Sequence, residues 1–380
     1  MPLMKRPGPR TATRLGFVVA GFVSGCWSPL VPFAKARLGV DDARLGLVLL
    51  AFGVGSLIGV GAAGVLTTRM GSRPLVILGG GGMCIVLPML AIAGSPWTLG
   101  AALLVFGASL GALDVAVNAH GVEVESAAAK ALMSGFHALF SLGSFAGAAW
   151  MTLFLRAGSP PLAATALAAA IGLGLIAVAG TGLLSTRPAD RSGPLLVVPT
   201  GLVAVIALLT AAAFLTEGAV FDWSALLSID RRIATPAEAG VGFILFSLAM
   251  TGGRLAGDAL VRGLGPRMVV QAGGSLAVLG VVAVLVCPIP ALALGGFLLL
   301  GLGAANVVPV LFSAAGRQTT MPPALAVAAV TSTGYAGILA GPPLLGFVAR
   351  AVGLPNAFWI LACLLMLVPL LAGAATRPAR

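Results

Sequence analysis

The stretch Gly111–Gly147 reads GALDVAVNAHGVEVESAAAKALMSGFHALFSLGSFAG. Asp114 and Asn118 sit inside one apolar run and His137 inside the next, with a short polar segment holding Glu123, Glu125 and Lys130 between them. Two apolar runs joined by a polar turn read as a helical hairpin, and runs of this length reach across roughly 30 Å of hydrocarbon. A carboxylate, an amide and an imidazole in such helices are costly to strip of water, so they mark a pathway through the membrane.

The rest of the chain has the same texture. Of its 380 residues 59% are hydrophobic and 9% charged, whereas a soluble domain averages about a quarter charged. The apolar runs are continuous rather than alternating, which points to helices and not to barrel strands. Twelve spans are expected, at 15–33, 45–66, 74–94, 97–120, 131–156, 161–184, 200–227, 239–261, 268–288, 291–314, 324–349 and 355–374. Proline-rich breaks at Ser159-Pro160-Pro161, Pro288-Ile289-Pro290 and Pro322-Pro323 separate several of them. The first follows a basic, proline-rich flank, MPLMKRPGPRTATR. A signal peptide, with Val23–Cys26 (VSGC) as a lipoprotein box, is the alternative; the many spans that follow favour a first membrane helix.

The net charge of +11 does not describe a nucleic-acid footprint, because the basic residues fall in short connections between spans. With both termini on one side, that side carries fourteen of them and the other seven. Both termini are therefore expected in the cytoplasm and the chain in the bacterial inner membrane. Cys26, Cys84, Cys287 and Cys363 each lie in an apolar run and form no CxxC, so neither a disulfide framework nor a metal site is expected. No GxxxxGK[ST] motif is present, which argues against a self-contained ATP-driven pump. No cofactor and no catalytic residue are expected, and the chain reads as a monomer in the lipid bilayer.

The polar break 185–198 divides the chain into bundles of six helices at 1–184 and 199–380, with the break as a cytoplasmic linker. An offset of 194 superimposes the halves, bringing Gly71 onto Gly265, Phe52 onto Phe246, Arg73 onto Arg267, Gly79 onto Gly273 and Gly107 onto Gly301. The expected fold is thus all-α integral membrane, about twelve transmembrane helices in two pseudo-symmetric six-helix bundles, an arrangement of transporters.

These residues resemble the major facilitator superfamily (MFS). Its signature G-x-x-x-D-R-x-G-x-R is matched by Gly64, Arg69, Gly71 and Arg73, with Thr68 where the acid belongs. In the second half Gly265 and Arg267 match, while Asp258 replaces the leading glycine and Arg262-Gly263 the Asp-Arg pair. A narrower resemblance, to the YbjJ-type bacterial branch and distantly to the fucose-permease group, is carried by Trp27–Gly46, Leu113–Glu125, Met133–Gly147 and Glu217–Leu227. The resemblance implies a fold and a transporter class, without a substrate. The drug/proton antiporters of the superfamily carry G-P-x-x-G-G in the fifth helix; Gly143 and Gly147 stand there without a proline.

Among the polar residues Asp114 leads. Counted from Trp97 it lies ~25 Å along its helix, Asn118 shares its face at i+4, and His137 lies ~9 Å up the next helix. Asp114 would take up and release a proton and His137 would sense or share it; the alternative is a polar clamp between helices. His120, Glu123 and Glu125 read as a solvated helix end or gate contact. Glu217 and Asp222 are ~140° apart on one helix; Glu217 is placed in the cavity, while for Asp222, near the surface beside Trp223, an interfacial role competes. Arg254 and Asp258, one turn apart, read as an intrahelical pair at the cytoplasmic gate, and Arg69 and Arg73 as gate residues on helix carbonyls. Trp27, ahead of Pro29 and Pro32, is either a ring-stacking group in the cavity or an interfacial aromatic. Asn306, near Pro309, poses the same choice, and Tyr335 is a candidate cavity hydrogen-bonder. GxxxG pairs at Gly55/Gly59, Gly107/Gly111, Gly143/Gly147, Gly253/Gly257 and Gly337/Gly341 permit close helix approach.

The expected function is secondary transport of a small solute by alternating access, coupled to protons. Drug or metabolite export on the same fold and a non-transporting receptor or scaffold are the alternatives.

Overall fold

The computed structural model describes residues 7–128, 132–185 and 198–377. Regular structure among them is helical: α1 (Pro9–Gly25), a 3-10 turn (Ser28–Leu30), α2 (Val31–Leu38), α3 (Asp42–Met70), α4 (Ser72–Ile92), α5 (Pro96–Ala128), α6 (Met133–Arg156) and α7 (Pro161–Gly182). The second half has α8 (Gly201–Asp230), α9 (Val241–Val286), α10 (Pro290–Ala304), α11 (Val307–Arg317), α12 (Pro323–Val352) and α13 (Leu354–Ala375). Pro161, Pro290 and Pro323 each open a helix, at the position where the missing N–H costs nothing.

Among the described residues eleven helices are long and apolar enough to cross a membrane. The longest, α9, is broken at Gly265, whose φ of 78° and ψ of 158° are non-helical, with Pro266 next. Gly71, between α3 and α4, has nearly the same conformation, φ 83° and ψ 170°. A side chain at either position would be strained, so glycine is required at both turns. The break turns eleven long helices into material for twelve crossings, at the place expected between 261 and 268. Two further spans are interrupted: the first around Cys26–Leu30 and the tenth at Ala305–Asn306.

The chain clusters into two compact units, Met1–Val40 with Val48–Asp190, and Asp41–Leu47 with Arg191–Arg380. The linker expected at 185–198 lies almost wholly outside the described residues, as does Lys130. In the first unit α1 packs on α6, and α4 on α5 and α7; in the second α8 packs on α12, and α9 on α10 and α13.

Glycines set these approaches. A Cβ on Gly107 would run into the carbonyl oxygen of Phe52, and one on Gly301 into that of Phe246. A Cβ on Gly79 would stand 2.7 Å from Ser109 O, and one on Gly273 2.6 Å from Gly303 O. All four contacting pairs obey the 194-residue offset. Gly143 and Gly147 of α6 face Val18 and Phe22 carbonyls of α1, while Gly21 and Gly25 of α1 face Phe140 and Ser144 carbonyls of α6. The backbones therefore meet directly, which is how helices associate where lipid offers no hydrophobic drive.

The offset also holds for two arginines. Arg37 donates from Nε to Ala93 O (2.9 Å), from Nη1 to Ala91 O (2.6 Å) and from Nη2 to Leu90 O (2.9 Å). Arg231 donates from Nε to Val284 O and from Nη2 to Cys287 O, both 3.3 Å. Each guanidinium thus closes the carbonyl end of a helix in its own unit, α4 in one case and α9 in the other, where the helix dipole favours a cation.

Candidate functional site

In the first unit the hairpin supplies a bonded acid–amide pair. Asn118 Nδ2 donates to the Asp114 main-chain oxygen (2.8 Å) and to its Oδ1 (3.1 Å), a geometry set by their one-turn spacing on α5. Both side chains are half-buried. Asp114 has no cation partner among the described residues. His137, on α6, is exposed and stands edge-on to Phe17 of α1, ring centres 5.2 Å apart; Phe17 in turn stacks on Phe136 at 5.7 Å.

His120 is not a solvated end, as its place near the end of the span led us to expect. It is 0% exposed. Its Nε2 accepts the Leu184 N–H at 2.9 Å, so that nitrogen is bare and Nδ1 carries the proton toward Thr13 Oγ1, also 2.9 Å away. Thr13 Oγ1 in turn donates a hydrogen bond to Pro9 O at 2.9 Å. One imidazole therefore joins α5, the start of α1 and the chain leaving α7. Glu125 is likewise structural: its Oε2 accepts the N–H groups of Leu132 (2.5 Å) and Met133 (2.9 Å), capping α6 with a negative charge.

In the second unit the ion pair runs between helices. Arg254 Nη2 of α9 lies 3.6 Å from Glu217 Oε2 of α8, with both side chains about a quarter exposed. The intrahelical pair expected with Asp258 is not what the ion pair uses: Asp258 is exposed, and Arg254 pairs with Glu217 across the helix contact. The other Glu217 oxygen, Oε1, is buried without a hydrogen bond among the described residues. Three residues before Glu217, Phe214 meets Tyr335 of α12 and Phe312 of α11, both at 6.4 Å between ring centres. All three rings are half-buried. Phe214 and Phe312 escaped the sequence reading because phenylalanine in an apolar span has no local mark; only the approach of three helices reveals them.

Three expected site residues lie elsewhere. Trp27 is 0% exposed, in the core where the first span breaks, so it is neither interfacial nor open to a ring substrate. Asp222 and Trp223 are buried at 4% and 0%, not near the surface. Asn306 is buried and donates to Gly253 O at 2.8 Å, with its Oδ1 against Gly257, so it ties the interrupted tenth span to the glycine pair of α9. The signature residues make the α3–α4 turn and the α9 break: Arg69 and Arg73 are exposed, Thr68 Oγ1 turns back to Val65 O at 2.8 Å, and among the described residues no atom crowds Gly64. Arg267 lays its guanidinium over Gly373 of α13.

The profile of the Major Facilitator Superfamily matches residues 14–319. An uncharacterized MFS-type transporter of Yersinia pestis is 45% identical over 368 residues, covering 97% of this chain and 96% of that one. Among solved structures, a variant of the nucleoside transporter NupG superposes with a TM-score of 0.78 at 12% identity, covering 97% of this chain and all of that one. A variant of the Escherichia coli fucose:proton symporter FucP gives 0.64 at 15% identity, covering 97% and 98%.

Proposed function

The chain belongs to the Major Facilitator Superfamily, and from that membership we propose that it takes up a small polar solute across the bacterial inner membrane together with protons, by alternating access. It is a multi-pass membrane transporter and not an enzyme. Asp114 carries the proposal of coupling. It is a half-buried carboxylate in a membrane helix, held by an amide and by no cation among the described residues. A charge so placed is tolerated only when paired, wetted or neutralised by a proton, which makes it a natural carrier. In this reading Asn118 holds the carboxyl group toward its transport position in both protonation states, and His137 is the second proton group of that unit. Glu217 and Arg254 form the charged part of the second unit's wall, and the Phe214–Tyr335–Phe312 cluster offers ring surface and a hydroxyl to the solute.

Purified protein in proteoliposomes under an imposed inward pH gradient tests the proposal. Accumulation of a solute found by ligand-dependent thermal shift is expected for the wild type. Asp114→Asn keeps the size of the side chain and a hydrogen bond to Asn118 but holds no charge; it is expected to bind and exchange the solute while losing gradient-driven accumulation. Accumulation at the wild-type rate in that variant would remove Asp114 from coupling.

A further inference from the structure

A cavity of about 570 Å³ opens in the second unit, lined by Val261 and Pro266 of α9, Ala314 and Arg317 of α11, Gln318, and Thr376 and Arg377 beyond α13. We propose that it is a phosphate-binding site, filled in the membrane by the headgroup of an anionic phospholipid.

The lining has two characters. Val261, Pro266 and Ala314 give it an apolar floor. Its polar groups sort themselves by what they already hold. Gln318 is saturated: its amide nitrogen donates to Ala315 O and Met321 O, and its oxygen accepts from Thr320 Oγ1 and Met321 N. Thr376 Oγ1 donates to Ala372 O at 2.7 Å. The guanidiniums of Arg317 and Arg377 have neither a carboxylate nor a hydrogen-bond acceptor among the described residues, and both side chains are exposed. A third cation, Arg267, sits over Gly373 in the last turn of α13. The carboxyl ends of α11 and α13 offset part of this charge, each as roughly half a unit. Asp258, one turn before Val261 on α9, is the acid nearest along the lining helix and is exposed. Positive charge is left over, and its free donors are forked guanidiniums, the geometry that grips phosphate oxygens two at a time.

The surroundings favour a lipid over a soluble anion. Leu260 and Leu264 flank Val261 on α9 and Met268 follows the break, and these three are 38%, 57% and 50% exposed. An acyl chain lying on that apolar strip would bring its headgroup to Arg317 and Arg377. The same end carries the cytoplasmic excess of basic residues inferred from the sequence, and basic pockets between helices on that side suit anionic headgroups.

Native mass spectrometry of the full chain, with phosphatidylglycerol, phosphatidylcholine or inorganic phosphate added, reads the site directly. Phosphatidylglycerol is expected to stay bound where phosphatidylcholine does not, and millimolar phosphate is expected not to displace it. Arg317→Gln with Arg377→Gln should weaken phosphatidylglycerol binding roughly thirtyfold, from about a factor of five for each arginine. Arg44→Gln, an exposed charge far along the chain, should not weaken it. Arg377→Gln alone lies past the last helix and leaves the fold intact, so unchanged lipid binding in that variant overturns the proposal even if the double variant does not purify. Displacement of the lipid by phosphate alone would overturn the lipid assignment and leave a site for the soluble anion.

Discussion

At the scale of single residues, the contrast between the two histidines is instructive. Both stand in the hairpin that directed the reading of the sequence, yet one is exposed beside Phe17 and the other is sealed between three segments. His120 meets Thr13 and Leu184, which are 107 and 64 residues away. No local pattern could have told a buried tie from a wet helix end, because the partners come from elements that meet only after folding. His120→Ala leaves the half-buried Leu184 N–H without its acceptor and is expected to cost about 1–2 kcal/mol, read as a lowered melting temperature in detergent with transport preserved in the surviving fraction. The Asp114–Asn118 pair, by contrast, was legible, since its bond depends only on helical spacing. For Glu217 and Arg254, removing one partner should cost more than removing both. Glu217→Gln is expected to destabilise by ~1–2 kcal/mol and the double replacement by less, since the single change takes the carboxylate away from a partly buried cation. A double-mutant cycle in thermal unfolding checks the order.

At the scale of elements, proline and glycine carried most of the information. Pro161, Pro290 and Pro323 start helices where the breaks were expected, and Gly71 and Gly265 make the two signature turns. Their effect is local and steric, so it is readable from one sequence. The arginine caps were not readable: Arg37 and Arg231 act on carbonyls 53 to 56 residues away, and in the sequence they are two more charges in short loops. The distances rank them. Arg37→Gln, which removes three short bonds, is expected to lower stability by about 2 kcal/mol, and Arg231→Gln, with two longer ones, by about 1 kcal/mol. Denaturation in detergent followed by circular dichroism would show the order. Replacing Gly107 or Gly301 by Leu drives a side chain into a facing backbone that cannot yield. Folded protein, measured as monodisperse yield, is expected to fall sharply for both, and a normal yield for either would mean that these helices do not meet as closely as described.

At the scale of the whole molecule, the break at Gly265 decides parity. Eleven crossings would put the two ends of the chain on opposite sides of a membrane; with α9 divided at Gly265, twelve crossings would bring them to the same side. If the basic excess holds the N-terminus in the cytoplasm, a green fluorescent protein fused after Arg380 is expected to fluoresce and an alkaline phosphatase fused there to be inactive; with a cytoplasmic N-terminus, the reverse pattern would require an odd count. Class and helix number were legible because hydropathy is summed over about twenty residues and tolerates local error. Burial of Trp27, Asp222 and Trp223 was not, because a tryptophan or an acid near a span end looks alike whether it meets water, headgroups or another helix. One detail reaches further back than function. The stitch from Arg37 to the end of α4 recurs from Arg231 to the end of α9 at the same spacing, amid neighbours that have little else in common. A bond kept at the same register in both halves is what two copies of one ancestral half would share.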